Sequence, residues 1–337
     1  MVTVAVFGAG TVGKVHARCA AGLPGVRVKT ICSRRPEESR PLADELGAAW
    51  VSEPEAVLTD PEVDLVVVAY PTHVRRELIE PALAVGKFVF CEKPLASTLA
   101  EARAIARLSD QAKGWVSVGL VVRYFWEYQT ARETVRSGRL GRVGIVLASR
   151  ACGFPRGHDD WYADFEQSGG VVLDLMLHDI DFLLWTFGPV ERVYAKGMRY
   201  AGRPEADYAL ITLRFRSGEI AHLEGSWREA PGTFYTTLEI ACADGLLEYD
   251  RRKVQPLVFT SLAGRKEGVP GVVIPEMPEW ESPYLKELRE VVRAMEAGGP
   301  PPIPAGEALG AMEVAWAALE SIRSGQPVRP GKEGGAR

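Results

Sequence analysis

Through its first 120 residues the chain alternates short apolar runs with helical stretches, and this rhythm constrains its fold more than any other feature. The runs TVAVFG, VRVKTICS, DLVVVAY, KFVFCE and WVSVG are separated by stretches such as PEESRPLADELG and STLAEARAIARLSDQAKG. Parallel strands need a crossover of helix length between them, so the alternation predicts an α/β domain, a doubly wound parallel sheet covered by helices, over residues 1–120. Directly after the first run comes GAGTVG, with Gly8, Gly10 and Gly13 in GxGxxG spacing around Thr11 and Val12. Gly8 permits the tight turn, Gly10 lets backbone approach a pyrophosphate, Gly13 lets helix and sheet pack closely, and the helix N-terminus attracts the anion. Its place between strand and helix is the context that a dinucleotide-binding Rossmann domain requires.

About twenty residues further on, an acidic side chain ordinarily binds the adenine ribose of NAD. This chain has Ser33, Arg34 and Arg35 there. A hydroxyl and two guanidinium groups suit a 2′-phosphate, so NADP is expected ahead of NAD, with an exposed basic turn as the alternative.

After residue 120 the rhythm changes. A helix near 127–138, a strand-like run at 142–149 and an apolar helix at 169–185 precede VERVYAKGM, DYALITLRF, EIAHLEGSW, YTTLEIACA and GLLEYD. Short runs joined by turns such as FRSGE and CADGL predict a mainly antiparallel sheet, hence a second, α+β domain over 121–330. The stiff connector GGPPPIP joins terminal helices at 283–297 and 305–324, and 331–337 reads as a flexible tail.

Composition bounds the partners. A length of 337 residues suits two domains, and 47% hydrophobic with 25% charged residues is ordinary for a soluble enzyme. The net charge of −4 argues against a nucleic-acid or anionic-membrane surface, which leaves a small molecule as the expected partner. MVTVAVFGAG carries no signal-peptide pattern and no run reaches transmembrane length, so a cytoplasmic location is expected. Cys19, Cys32, Cys91, Cys152 and Cys242 form no CxxC pair, so neither a disulfide framework nor a zinc site is indicated. The absence of asparagine fits a heat-tolerant source, although a GC-rich genome gives the same bias.

The run GGVVLDLMLHDIDFLLW poses a question, because an apolar helix at 169–185 carries Asp174, His178, Asp179 and Asp181. At about 100° per residue, Asp174 and His178 fall about 40° apart with Asp181 beside them. Either this stripe faces a polar cleft or its members satisfy one another. A second unusual site is Glu92-Lys93-Pro94, which closes a buried-looking strand at the edge where open α/β sheets place ligands. Beside a nicotinamide, the Lys93 ammonium could stabilise negative charge on an alcohol oxygen; pairing with Glu92 is the plain alternative.

GAGTVG, CEKPLA, VGLVVRY and SGGVVLDLMLHDID occur in an order that resembles the Gfo/Idh/MocA oxidoreductase family over almost the whole chain. The resemblance implies a Rossmann domain, a second domain whose open sheet forms homodimers or homotetramers, and hydride transfer between NAD(P) and a sugar, an inositol-like polyol or a derivative. It implies that Lys93, Asp174 and His178 form the catalytic group, that a cis bond precedes Pro94, and that His178 exchanges the substrate proton. Hydride chemistry of this kind needs no metal. Tyr70, Pro71 and His73 in AYPTHV, with Glu92 and Lys93, would lie on the nicotinamide side. There Tyr70, Thr72 and Arg75 depart from the family's usual TPNxxH pattern, and Ser168 replaces the first of three glycines. Arg123 and Tyr124 resemble a position that reaches toward cofactor or substrate, with an ordinary interdomain salt bridge as the alternative. Trp161, in the loop 153–165, would shape the substrate pocket or simply pack. Two other activities occur among such proteins and stay open at this point: a glycosidase using transient oxidation by NAD, and a regulator that binds dinucleotide and sugar without catalysis.

Overall fold

Val2–Phe7 holds one polar residue in six, a composition suited to a strand covered on both faces. In the computed structural model, which describes residues 1–155, 157–198, 207–253, 257–261 and 281–331, this run is β1 and is buried throughout. It pairs in parallel within a sheet that also contains β2 (Val26–Cys32), β3 (Ala49–Val51), β4 (Leu65–Val68), β5 (Phe88–Glu92) and β6 (Val116–Gly119). The order is β3-β2-β1-β4-β5-β6, all parallel. The chain runs outward from β1 to β3 and then crosses to β4, so the switch point lies between the carboxyl ends of β1 and β4. Helices α1 (Thr11–Ala21), α2 (Pro36–Leu46), α3 (Glu55–Leu58), α4 (Arg75–Ala84) and α5 (Leu99–Gln111) make the connections.

The chain divides into one unit of Met1–Tyr124 with Trp280–Leu309 and another of Phe125–Glu279 with Gly310–Arg337. The first boundary thus lies close to the expected residue 120, but the chain returns to the first unit late. There α10 (Pro283–Glu296), expected with the second domain, inserts Leu288, Val291 and Val292 into the core that holds Ala17 and Ala20 of α1. Those three positions lie at i, i+3 and i+4, a single apolar stripe that the sheet domain buries.

In the second unit, β7 (Val143–Gly153), β8 (Val190–Met198), β9 (Tyr208–Phe215), β10 (Ile220–Glu229), β11 (Phe234–Cys242), β12 (Gly245–Asp250) and β13 (Leu257–Ser261) form one sheet. Its order is β13-β12-β11-β7-β10-β9-β8, antiparallel apart from the parallel β7–β10 pair. Alternation along β9 and β10 buries Ile211, Leu213, Ala221 and Leu223 on one face. The opposite face exposes Ile145, Leu147, Tyr194 and Leu210, which the register places on neighbouring strands. Helices α6 (Trp126–Arg136), α7 (Phe165–Ser168), α8 (Gly170–Asp174) and α9 (Leu177–Phe187) belong to this unit, and α11 (Ala305–Ser324) begins in the first unit and ends in the second.

The apolar helix expected at 169–185 is interrupted: α8 stops at Asp174 and α9 starts at Leu177. At the break the Met176 N–H reaches back five residues to the Val171 carbonyl, a wide turn that displaces the helical register. Met176 packs where a Cβ on Gly225 of β10 would lie 2.3 Å from its Cγ, so only glycine there leaves it room. Most of the tail read as flexible, residues 332–337, lies outside the described residues. Among the described residues no helix is long and apolar enough to cross a membrane.

Candidate active site

The turn from β1 into α1 has the geometry of a dinucleotide cradle. Gly8 takes φ +101°, and a Cβ there would meet the Ala69 carbonyl oxygen at 2.7 Å. A Cβ on Gly13 would lie 2.1 Å from the Gly8 oxygen, so the helix can sit this close only with glycine at that position. Gly10 differs, since a Cβ there would meet nothing within 4 Å. Its bareness leaves open space beside the first turn of α1, where Gly10, Thr11 and Val12 are exposed and no side chain caps the helix. Open space, uncapped N–H groups and a helix N-terminus together fit a pyrophosphate.

At the end of β2, Ser33 is buried and Arg34 is exposed, while Arg35 lies 3.0 Å from Glu38. Tyr70, at the end of β4, packs edge-on against Phe7. Burial pushes its phenol pKa up, and the nearby Arg34 and Arg35 work against that rise, which places Tyr70 near the basic turn. His73 is exposed, Pro71 half-buried and Thr72 buried.

The EKP turn follows β5, with a cis bond between Lys93 and Pro94. From Val89 to Ser97 every residue except Lys93 is buried. Glu92 was expected beside the cofactor, but its carboxylate turns inward: Oε1 lies 2.6 Å from Nε2 of the fully buried His16, and Oε2 accepts from the Lys93 N–H at 3.1 Å. Burial alone would raise the Glu92 pKa, yet the His16 hydrogen bond and the charges of His16, Arg75 and Lys93 outweigh it and hold the carboxyl below its ordinary range. A Cβ on Gly119 would come 3.2 Å from Glu92 Oε1, so this glycine makes room for the pair.

Arg75 holds the same turn from another side. It is 6% exposed and donates from Nε to the Tyr70 carbonyl at 2.8 Å, and from Nη1 to the carbonyls of Glu92 at 2.6 Å and of Pro94. Neither Arg75 nor the His16–Glu92 pair was assigned a role from sequence. A usable signal was present for Arg75, since it departs from a common histidine and follows the AYPT turn.

In the second unit, every residue from Ser168 to Leu183 is buried except Asp174 and His178. The Ser168 hydroxyl accepts from the Gly170 N–H at 3.1 Å, and Gly169 and Gly170 take φ +71° and +67°. Asp179 is 4% exposed and receives a two-pronged bond from Arg150 of β7, Nε to Oδ2 at 2.7 Å and Nη2 to Oδ1 at 2.8 Å. Arg150 Nη2 also reaches the Tyr128 hydroxyl at 3.1 Å. The apolar helix therefore tolerates Asp179 because a buried guanidinium neutralises it, whereas Asp174 and His178 keep access to solvent. Sequence reasoning missed Arg150, which sits on a strand far from the helix in the chain.

Arg123 Nη1 lies 2.6 Å from Glu307 Oε2, an ion pair within the first unit and not between domains. Tyr124 is half-buried, and burial raises its phenol pKa. Trp161 stacks on Tyr162 with ring centroids 3.9 Å apart, next to Asp159 and Asp160, which adopt φ of 54° and 49°. That loop borders an open cleft lined by Cys152, Phe154, Asp160, Trp227, Arg228 and Phe234, among others.

Comparison with known proteins extends this geometry. A family profile described as an oxidoreductase family with an NAD-binding Rossmann fold matches residues 2–120, and one described as the GFO/IDH/MocA C-terminal domain matches 128–248. Myo-inositol 2-dehydrogenase of Thermotoga maritima is 25% identical over 333 residues, 97% of this chain and 98% of its own length. The scyllo-inositol 2-dehydrogenase (NAD(+)) of Bacillus subtilis is 28% identical over 340 residues, 97% of this chain and 96% of its own. Among solved structures, GenD2 from gentamicin A biosynthesis, in complex with NAD, superposes with a TM-score of 0.85 at 26% identity, covering 97% of this chain and 96% of that one.

Proposed function

Because the chain belongs to the Gfo/Idh/MocA oxidoreductase family, we propose that it transfers a hydride between a nicotinamide cofactor and a hydroxyl-bearing carbon of a sugar or inositol-like polyol. The observation that carries this reading is selective exposure. In two otherwise buried segments, only Lys93, Asp174 and His178 are accessible, and they are an ammonium, a carboxylate and an imidazole.

Gly8, Gly10, Thr11, Val12 and Gly13 would hold the pyrophosphate, with Tyr70, Pro71 and His73 toward the nicotinamide, which when bound supplies the hydride acceptor or donor. Lys93 would donate a hydrogen bond to the reacting oxygen and stabilise its developing negative charge. His178 would take the hydroxyl proton in oxidation and return it in reduction, since an imidazole exchanges protons near neutral pH. Asp174 would orient the imidazole or the substrate. Ser33 and the exposed Arg34 favour NADP, because a hydroxyl and a guanidinium suit a 2′-phosphate, although the Glu38 carboxylate already engages Arg35 in the same turn. The open sheet face with Ile145, Leu147, Tyr194 and Leu210 supports a homo-oligomer built on it, which the mass in solution measures.

The test is a screen of inositols, aldoses and keto-sugars with NAD and NADP, following the absorbance of reduced nicotinamide. Net cofactor turnover with at least one polyol or sugar is expected, and Arg34→Ala should weaken NADP more than NAD. Glycoside cleavage without net turnover of added cofactor would overturn the dehydrogenase reading.

A further inference from the structure

Arg75 is one of three departures, with Tyr70 and Thr72, from the usual pattern of its nicotinamide-side loop, and this one has a structural use. Its three hydrogen bonds go to main-chain carbonyls, two of them, from Glu92 and Pro94, on either side of Lys93 and the third, from Tyr70, in the loop after β4. The Tyr70 and Pro94 carbonyls lie beyond strand ends, where no ladder partner is offered, and leaving such groups buried without one is unfavourable. A guanidinium presents several donors in a fixed planar fork, so it can hold three such oxygens in one arrangement, which an imidazole with two ring nitrogens cannot. The Glu92 carboxylate fixes the turn from its other side through the Lys93 N–H and His16.

We propose that Arg75 is a positioning residue for Lys93. It clamps the main chain before and after the lysine and ties that turn to the β4 loop, so that the ammonium is presented in one direction. This rests on the reading of Lys93 as the group that meets the reacting oxygen, and the test separates the two.

A double-mutant cycle on the full chain reads the effect. Arg75→Ala should lower kcat by about 10²-fold, the scale expected for a displacement of about 1 Å. In a Lys93→Met background the same substitution should leave the residual kcat unaltered, because nothing remains to be positioned. Added guanidinium ion should restore part of the kcat of Arg75→Ala and none of that of Lys93→Met. Arg75→Lys keeps the charge without the fork, should lose kcat in the same direction, and takes the place of the alanine variant in the cycle where that variant does not fold. Equal losses in both backgrounds, or wild-type kcat in the Arg75 variants, would overturn the positioning role. Wild-type kcat in Lys93→Met alone would instead remove the reading on which it rests.

Discussion

The end of β5 and the α8–α9 segment each present ionisable groups from apolar surroundings, but they are anchored differently. Around Lys93 the anchor acts on backbone: Arg75 binds carbonyls on both sides, and Glu92 accepts the lysine's own N–H. Around His178 the anchor acts on a side chain, with Arg150 gripping the adjacent Asp179. The contrast follows from secondary structure. A strand that stops leaves N–H and C=O groups for its surroundings to satisfy, whereas a helix satisfies most of its own and needs only its orientation fixed. Loss of the first anchor therefore strands neutral backbone groups, and loss of the second strands a charge.

The largest expected effect removes a presented group and leaves its anchor. His178→Ala should lower kcat about 10² to 10⁴-fold, the range for loss of a general acid–base group. Dinucleotide affinity should hold, because the phosphate cradle from Gly8 to Gly13 belongs to the other unit. Steady-state kinetics beside a binding titration decide this, and a parallel fall in affinity would show that the two regions do not divide the work. Next in size is Asp179→Asn, which leaves the 4%-exposed Arg150 without its counter-charge. Breaking a buried pair by removing one partner costs about 3–5 kcal/mol. Chemical denaturation should register that loss, while the double substitution Arg150→Met with Asp179→Leu should recover much of it. A cost below about 1 kcal/mol, the value of a surface pair, would mean that this ion pair does not anchor the helix.

The same contrast explains what could be read in advance. Alternating strands and helices, GxGxxG after β1 and the EKP turn after β5 are local patterns, because each is written by neighbours in one strand–turn–helix unit. The residues that fix those patterns in place come from elsewhere: His16 is 76 positions from Glu92, and Arg150 is 29 from Asp179. No periodicity reports such pairings. The helix wheel also failed at Leu175–Met176, where a tertiary fit between Met176 and Gly225 interrupts the 3.6-residue register. Asp174 and His178 are nevertheless the two accessible residues of the stretch from Ser168 to Leu183. Similarly, the helix at 283–297 could be read from the sequence, but not that its stripe of Leu288, Val291 and Val292 would be buried by the first unit.

The smallest effect asks whether the β5 anchor is electrostatic as well as geometric. Glu92 has a folded pKa held below its ordinary value, so its ionisation stabilises the fold at pH above about 4.3, the unfolded value for glutamate. That contribution should fade as pH falls from there toward the lower folded value. Glu92→Gln keeps the shape, removes the charge and cannot titrate, so the variant should be less stable than wild type at pH 6 and the gap should narrow as pH falls below about 4.3. Melting temperatures taken across that acid range measure the gap. A difference that stays constant with pH would reduce Glu92 to a hydrogen-bond acceptor for His16 and the Lys93 N–H, and arginine would then supply the anchoring charge in both regions. A narrowing gap makes the β5 end the one of the two that carries an imidazole–carboxylate pair beside its accessible lysine, so that the α1 helix, which bears His16, is coupled by charge to the turn that bears Lys93.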